Sequence, residues 1–411
     1  MKIAVVGSGI SGLSAAYYLS KNHHVDLFEK DDHFGGHSYT LDLNLDKKIS
    51  VDIGFIVFNY ETYPKLTNFF NENEVEVEKS DMSFSVKVEG TNFEYCGKGL
   101  KGMFSNKSNI FNLKFLKMFK DIIKFYKSCD QINKYDEKIT LGQFLEKKKW
   151  SKEFINFHLV PMVSAIWSMP PYEAKNMPLS FFLNFFKNHG LFKLKNRPQW
   201  YTVSNRSKTY VNKILSKISG EYFKNYQISK IIRTLNGIKL YYGDKSEFFN
   251  YDKVVIATHA DEAISLIEDA TQDEKQILSN FKYRENLAVI HTDQNVMPKN
   301  ERAWSSWNSY VEPNKLNKTS LTYWLNLLQN LKTKENIFLT LNPIQEIQSK
   351  KILKSVKFTH PYYDQGALDN QTNLKSLQNK KNILFCGSYF GYGFHEDGIK
   401  SSIEMIKNLN D

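Results

Sequence analysis

Short apolar runs and longer amphipathic stretches divide the chain into distinct elements. Ile3-Ala4-Val5-Val6 is an unbroken apolar run of buried-strand length. A helical pattern follows from Leu13 to Lys21, and His24 to Phe28 returns to a strand that ends on Glu29. The buried-strand signature reappears far downstream, at Val254-Val255-Ile256 and from Asn382 to Cys386, and an amphipathic helix is expected from Ile399 to Asn408. Two stretches of different texture lie between. From Asn109 to Cys129, Ile110, Phe111, Leu113, Phe115, Leu116, Met118, Phe119, Ile122, Ile123 and Phe125 share a broad helix face, and Lys114, Lys117, Asp121, Lys124 and Ser128 recur at three- and four-residue steps on the other. A second aromatic run holds Phe181, Phe182, Phe185 and Phe186. Residues 1–66, 203–270 and 375–411 thus carry the strand–helix alternation of an α/β domain. Residues 67–202, mainly helical, and 271–374, strand-rich, are expected to form an inserted α+β substrate domain. At 411 residues two connected cores are the natural expectation.

The turn between the first strand and helix reads Gly7-Ser8-Gly9-Ile10-Ser11-Gly12. Gly7 permits the tight turn, Gly9 lets backbone approach a pyrophosphate, and Gly12 lets helix and sheet pack closely, with phosphate on the helix N-terminus. Ser8, Ile10 and Ser11 are candidate contacts between them. Glu29 follows Gly7 by 22 positions (29 − 7), near the spacing of the carboxylate that accepts ribose hydroxyls, and Lys30 stands beside it. Strand, glycines, helix, second strand and acidic terminus occur in order, so a Rossmann-type dinucleotide-binding unit is expected at the start of the chain.

The continuation resembles flavoproteins of the amine-oxidase type. Gly35-Gly36-His37-Ser38 looks like their second glycine pair, in which an Arg often stands at the place of His37. Val51-Asp52-Ile53-Gly54-Phe55 is similar to the strand end that lies beside their flavin. Tyr226 to Ile231, with Ile228, resembles the segment that clamps the adenine. Ala257-Thr258 looks like the turn that returns to the FAD domain. Gly387-Ser388 and Gly391 to Gly398 resemble the last FAD motif, with Ser388 where an acidic residue often stands. The resemblance implies a helix N-terminus at Gly398, flanked by Asp397 and Ile399, that points its amides at the flavin pyrimidine edge. Further strings, Ala165-Ile166-Trp167-Ser168, Asn188-His189-Gly190-Leu191 and Arg197-Pro198-Gln199-Trp200, extend the likeness over essentially the whole chain. It resembles the bacterial predicted NAD/FAD-binding proteins often encoded beside cyclopropane-fatty-acyl synthases. More distantly it is similar to phytoene desaturases, protoporphyrinogen oxidases and fatty-acid isomerases.

That resemblance implies FAD as cofactor and an oxidoreductase acting on an apolar substrate such as an unsaturated or methylated acyl chain. A flavin-dependent double-bond isomerase, a lipid-handling flavoprotein without net redox, and an amine oxidase stay open beside it. Only one nucleotide fingerprint is present, so the electron donor is expected to be the substrate rather than a nicotinamide. His395 and Glu396, in the loop before the last helix, and His189, after the aromatic run, are the catalytic candidates. Trp167 and Tyr392 could line an apolar pocket. The motifs HExxH, GxSxG and GxxxxGK[ST] do not occur, and no metal site is expected.

Composition narrows the setting. With 41% hydrophobic and 24% charged residues and a mean hydropathy of −0.46, the chain is globular, and no apolar stretch nears the roughly 20 residues a spanning helix needs. Cys96, Cys129 and Cys386 are too few and too scattered for a disulfide framework, so a reducing cytoplasmic location is expected. The net charge of +11 admits two readings: an AT-rich coding bias towards Lys, Asn and Ile, or peripheral contact with an anionic membrane through the basic, aromatic Asn109–Cys129 helix. Nucleic acid is not an expected partner, and the oligomeric state is left open.

Overall fold

The computed structural model describes residues 1–132, 139–193, 196–243 and 247–409, with side chains to residue 128 in the first of these. A five-stranded parallel sheet runs in the order Tyr222–Lys224, His24–Glu29, Lys2–Val6, Lys253–Ile256, Ile383–Phe385. The apolar runs read from sequence form its middle, with Ile3, Ala4, Val5, Val254, Val255 and Ile256 fully buried. The register aligns Val6 with Phe28 and with Ile256, and Ile256 with Phe385. The strands therefore stop in one row. Gly7, Glu29, Ala257 and Gly387 follow that row at a single sheet edge, although Ala257 and Gly387 lie hundreds of residues from Gly7 in sequence. Ligand crevices in parallel α/β sheets form outside this carboxyl edge.

The first helix spans Ile10–Leu19, starting three residues before the point where the periodicity becomes visible. Its N-cap is Gly9, with no side-chain cap and no acidic residue in the first turn, so its leading amides are left for a ligand. Gly12 sits where a Cβ would lie 1.8 Å from the Gly7 carbonyl oxygen, which makes the close loop–helix packing a steric requirement.

The last helix spans His395–Lys407, so the expected start at Gly398 is corrected by one turn. The cause is local: the Asp397 carboxylate accepts the Phe394 backbone N–H (3.0 Å), which caps the helix earlier. Gly398 then lies inside the helix, where a Cβ would meet Ser11 Oγ at 2.7 Å and Ile10 Cγ2 at 2.8 Å. Its lack of a side chain serves packing on the first helix, which Ser14 and Ser402 reinforce with a hydroxyl pair at 2.8 Å.

A seven-stranded mixed sheet forms the second layer. Its order is Ile352–Tyr362, Lys282–His291, Phe338–Leu341, Ser320–Trp324, Trp307–Val311, Phe84–Val88, Glu94–Cys96. Helices Leu113–Ile132, Leu141–Lys147, Val160–Trp167 and Leu179–Asn188 belong to the large core that adjoins it. The expected Asn109–Cys129 helix is also corrected. Lys107–Phe111 is a 3-10 turn, and the Asn112 side chain accepts from the Lys114 and Phe115 amides, so the α-helix begins at Leu113. Phe115, Met118 and Phe125 are buried, with the Phe125 ring against Phe154 and Phe182. The side chain of Cys129 lies outside the described residues; Cys96 and Cys386 are buried free thiols. No helix among the described residues is long and apolar enough to cross a membrane.

Candidate functional site

One cavity of about 630 Å³ runs from the carboxyl edge of the parallel sheet to the underside of the helices. At its sheet end the walls are backbone. Gly7, Ser8, Gly9, Ile10 and Ser11 line it with the first helix N-terminus, joined by Gly36, Gly54, Ala257, Thr258, Gly387 and Ser388 from the other loops. Gly7 has φ +98°, and nothing lies within 4 Å of a Cβ built on Gly9, which leaves that face open. Glu29 Oε2 accepts the Ser8 backbone N–H (2.9 Å) and Oε1 accepts the Asp31 N–H (3.0 Å), so the carboxylate is fixed at the cavity wall. Lys30, paired with Glu262, and Ile228, beside Tyr226, complete this end.

The cavity wall also carries a group of imidazoles, His37, His259 and His360. The His37 ring lies 5.2 Å from that of His360 and 6.4 Å from that of His259, and packs on Phe358 at 5.1 Å. Its buried Nε2 has no hydrogen-bond partner. Burial, together with the neighbouring imidazoles, holds His37 well below the ordinary histidine range; desolvation lowers His259 and brings His360 to about 4. In all three, burial favours the neutral ring over the cation.

The other end is apolar and aromatic. Phe55, Ile56, Phe84, Met162, Trp167 and Phe185 line it with Trp307, Tyr323 and Phe394. Trp167 donates its indole N–H to the Tyr392 carbonyl (3.2 Å), tying the helical layer to the loop before the last helix. Among the lining residues the acids are Glu29, Asp31 and Glu262, all at the sheet end.

The catalytic candidates separate. His395 lines the cavity, stacks on Phe55 at 3.8 Å, and shares a 3.1 Å hydrogen bond between Nε2 and Ser38 Oγ; burial takes it down to about 3. His189 also lines it, with Nδ1 paired to the Phe185 carbonyl oxygen (3.0 Å) and burial lowering it to about 4. Both rings are neutral. Glu396 does not reach the cavity: its two oxygens accept the Lys65 and Leu66 amides at 2.9 Å each, capping the helix Pro64–Glu72. Asp397 is occupied as the helix cap and is pushed by burial up to about 7.

Gly12, Gly35, Ser38, Gly398 and Ile399 stand behind the wall rather than in it. Gly35 donates its N–H to Ser8 Oγ (3.0 Å), and Ser38 positions His395. Asp52 is likewise turned away, accepting the Ser207 N–H at 3.0 Å at the start of the helix Ser207–Leu215; desolvation raises it to about 6. Sequence reasoning missed Phe358 and His360 as cavity groups. They occupy alternate positions of one strand, so a period-two reading of Ile352–Tyr362 would place them on one face. Among the described residues no cluster of His, Cys, Asp or Glu is arranged to hold a metal.

Residues 5–72 match the family model of the NAD(P)-binding Rossmann-like domain. No curated protein matches the chain by sequence. Solved structures align over its whole length. The CLA-producing fatty acid isomerase from P. acnes superposes with a TM-score of 0.69 at 14% identity, covering 100% of this chain and 98% of that one. Cyclohexylamine oxidase from Brevibacterium oxydans IH-35A gives 0.67 at 14%, covering 100% and 99%. An engineered putrescine oxidase gives 0.70 at 12%, covering 99% and 98%. The fold is the α/β, flavin amine-oxidase type, with a Rossmann-like nucleotide-binding unit at residues 5–72.

Proposed function

We propose that this chain is an FAD-dependent oxidoreductase that binds one FAD and oxidises or desaturates an apolar substrate, best matched by a fatty-acyl chain. The observation that carries the reading is the continuity of the cavity: a backbone cradle at the sheet edge opens directly into an aromatic and aliphatic chamber.

The residues present fit FAD. The uncapped amides of the first helix, the open face of Gly9 and the unpartnered His37 Nε2 are suited to a pyrophosphate and its neighbouring groups, and Glu29 to ribose hydroxyls. When bound, FAD supplies hydride-transfer chemistry, which no side chain in the cavity offers. The chain's own part is to orient and to exclude water. Phe55 and Ser38 hold His395 as a neutral ring, and His189 is pinned by Phe185 beside the aromatic chamber.

A substrate ammonium would find no carboxylate in that chamber, since the lining acids all sit at the sheet end. This favours an acyl chain over an amine. Each buried methylene contributes about 0.8 kcal/mol, so a chain of modest length gains useful affinity there.

The purified protein should carry one FAD per chain. Anaerobic mixing with unsaturated or methylated fatty acyl compounds should bleach the flavin absorbance. Product formed without net bleaching would assign a double-bond isomerase instead; the P. acnes neighbour is named as a fatty acid isomerase. Bleaching by small amines alone would overturn the acyl reading.

A further inference from the structure

Four large apolar side chains stand in water between residues 100 and 113: Leu100 (67% exposed), Ile110 (49%), Phe111 (87%) and Leu113 (81%). Their exposure is built in. Asn109 is buried and donates to the Glu94 carbonyl (3.3 Å), Asn106 caps the 3-10 turn through the Ser108 amide (3.1 Å), and Asn112 caps the next helix. Three polar anchors thus fix the backbone on both sides of Ile110 and Phe111. Phe115, the third residue of that helix, is fully buried, so the core takes up the helix and leaves the tip outside.

The charge along this segment of chain has one sign. From Tyr95 to Lys120 the chain carries six exposed lysines, at positions 98, 101, 107, 114, 117 and 120, and no aspartate or glutamate. Of these, Lys98 alone forms an ion pair with a described residue, Asp81 (3.0 Å). A second copy laid face to face would bring like charges together. Protruding aromatic and aliphatic side chains ringed by lysines match a lipid surface, which accepts the apolar groups below its headgroups and the lysines on its phosphates.

We propose that the Leu100–Lys117 tip docks the protein on an anionic bilayer by inserting Phe111 and Leu113. The helix does not lie flat, because its apolar face is spent in the core. The proposal deepens the acyl-substrate reading, on which its purpose rests, but docking itself is measurable without turnover.

The test is co-sedimentation of the FAD-loaded full chain with vesicles of phosphatidylcholine alone or mixed with phosphatidylglycerol. The mixed vesicles should bind about tenfold more tightly or better, and added salt should weaken the binding. Because both side chains are exposed, F111S/L113S should keep its melting temperature and FAD content, yet lose about tenfold or more in vesicle affinity. K114E/K117E should lose the preference for phosphatidylglycerol. Equal binding to both vesicles, or unchanged binding by F111S/L113S, overturns the proposal. So does a lipid-free dimer that F111S/L113S converts to monomer, which would assign the tip to a second copy. If the wild type docks but no acyl compound reduces its flavin or is converted to product, docking stands and the substrate reading falls.

Discussion

The two ends of the cavity are built by opposite means. At the sheet end the wall is main chain: loops that leave five parallel strands at one level, shaped by Gly7, Gly9 and Gly36 and by the free amides of the first helix. At the far end it is side chain: aromatic and aliphatic groups from helices Val160–Trp167 and Leu179–Asn188 and from the seven-stranded sheet. Parts of the backbone wall admit no side chain: a Cβ on Gly54 would lie 2.2 Å from the His37 carbonyl oxygen. A side-chain wall can be repacked, so it adapts its shape to a ligand at small cost. On the function proposed above, the difference separates a site for one fixed cofactor from a chamber that would set substrate range.

The largest effect should fall on the packing directly behind the backbone wall. Gly12→Val would place its Cβ 1.8 Å from the Gly7 oxygen, so a loss of about 3 kcal/mol or more is expected, together with the loss of FAD. Thermal unfolding and flavin absorbance check it; a stable, yellow variant would break the contrast between the two walls. Glu29→Ala removes a charged acceptor and leaves the Ser8 and Asp31 amides unpaired, so FAD affinity should fall by about 1.5–3 kcal/mol in a fluorescence titration.

The imidazole group of the cavity should report on pH. His360 is lowered to about 4 in the folded chain, so its neutral form is favoured there and its contribution is complete above pH 6.5 and lost as pH falls below it. At pH 5.5 that loss is about 1.4 kcal/mol. His360→Gln, compared with wild type in denaturant melts at pH 7.5 and 5.5, should be less sensitive to acid by that amount. The same acid sensitivity in both proteins would remove His360 from the account. The smallest effect belongs to the side-chain wall: His189→Leu should lose about 0.5–1.5 kcal/mol with its bond to Phe185 and leave FAD occupancy unchanged. Its rate of flavin reduction by acyl substrate should fall, and a loss of FAD instead would mean that the two ends are not separable.

The same contrast explains which features are legible in the sequence. Gly7, Gly9, Gly12 and Glu29 are set by backbone sterics at fixed spacing, so a pattern of letters identifies them. The strands at 254–256 and 383–385 are visible as apolar runs. What the letters hide are choices among satisfied partners. Glu396 sits next to a flavin-type motif, yet its carboxylate serves the amides of a helix more than three hundred residues away. Asp397 begins the last helix earlier than the glycine pattern implies, through one hydrogen bond to Phe394. The chamber residues Phe84, Trp307 and Tyr323 come from three strands with no shared motif, and only the sheet register brings them together. The run from Asn109 to Phe111 reads as continuous with the helix that follows, whereas the Asn112 cap separates the two.

The order of the parallel sheet also has a bearing on how the protein is made. The strand Lys2–Val6 pairs on one side with a strand close to it in sequence, but on the other Ile3 meets Lys253, and the edge beyond is closed by Ile383–Phe385. At about 5–20 residues per second, a ribosome needs roughly 12–50 s to add the intervening 250 residues (253 − 3), during which one flank of the first strand has no permanent neighbour. Contacts this distant in sequence form slowly. The nascent amino-terminal unit should therefore depend on chaperones or on transient collapse, and stable cofactor uptake should wait until the final strand and helix have left the ribosome.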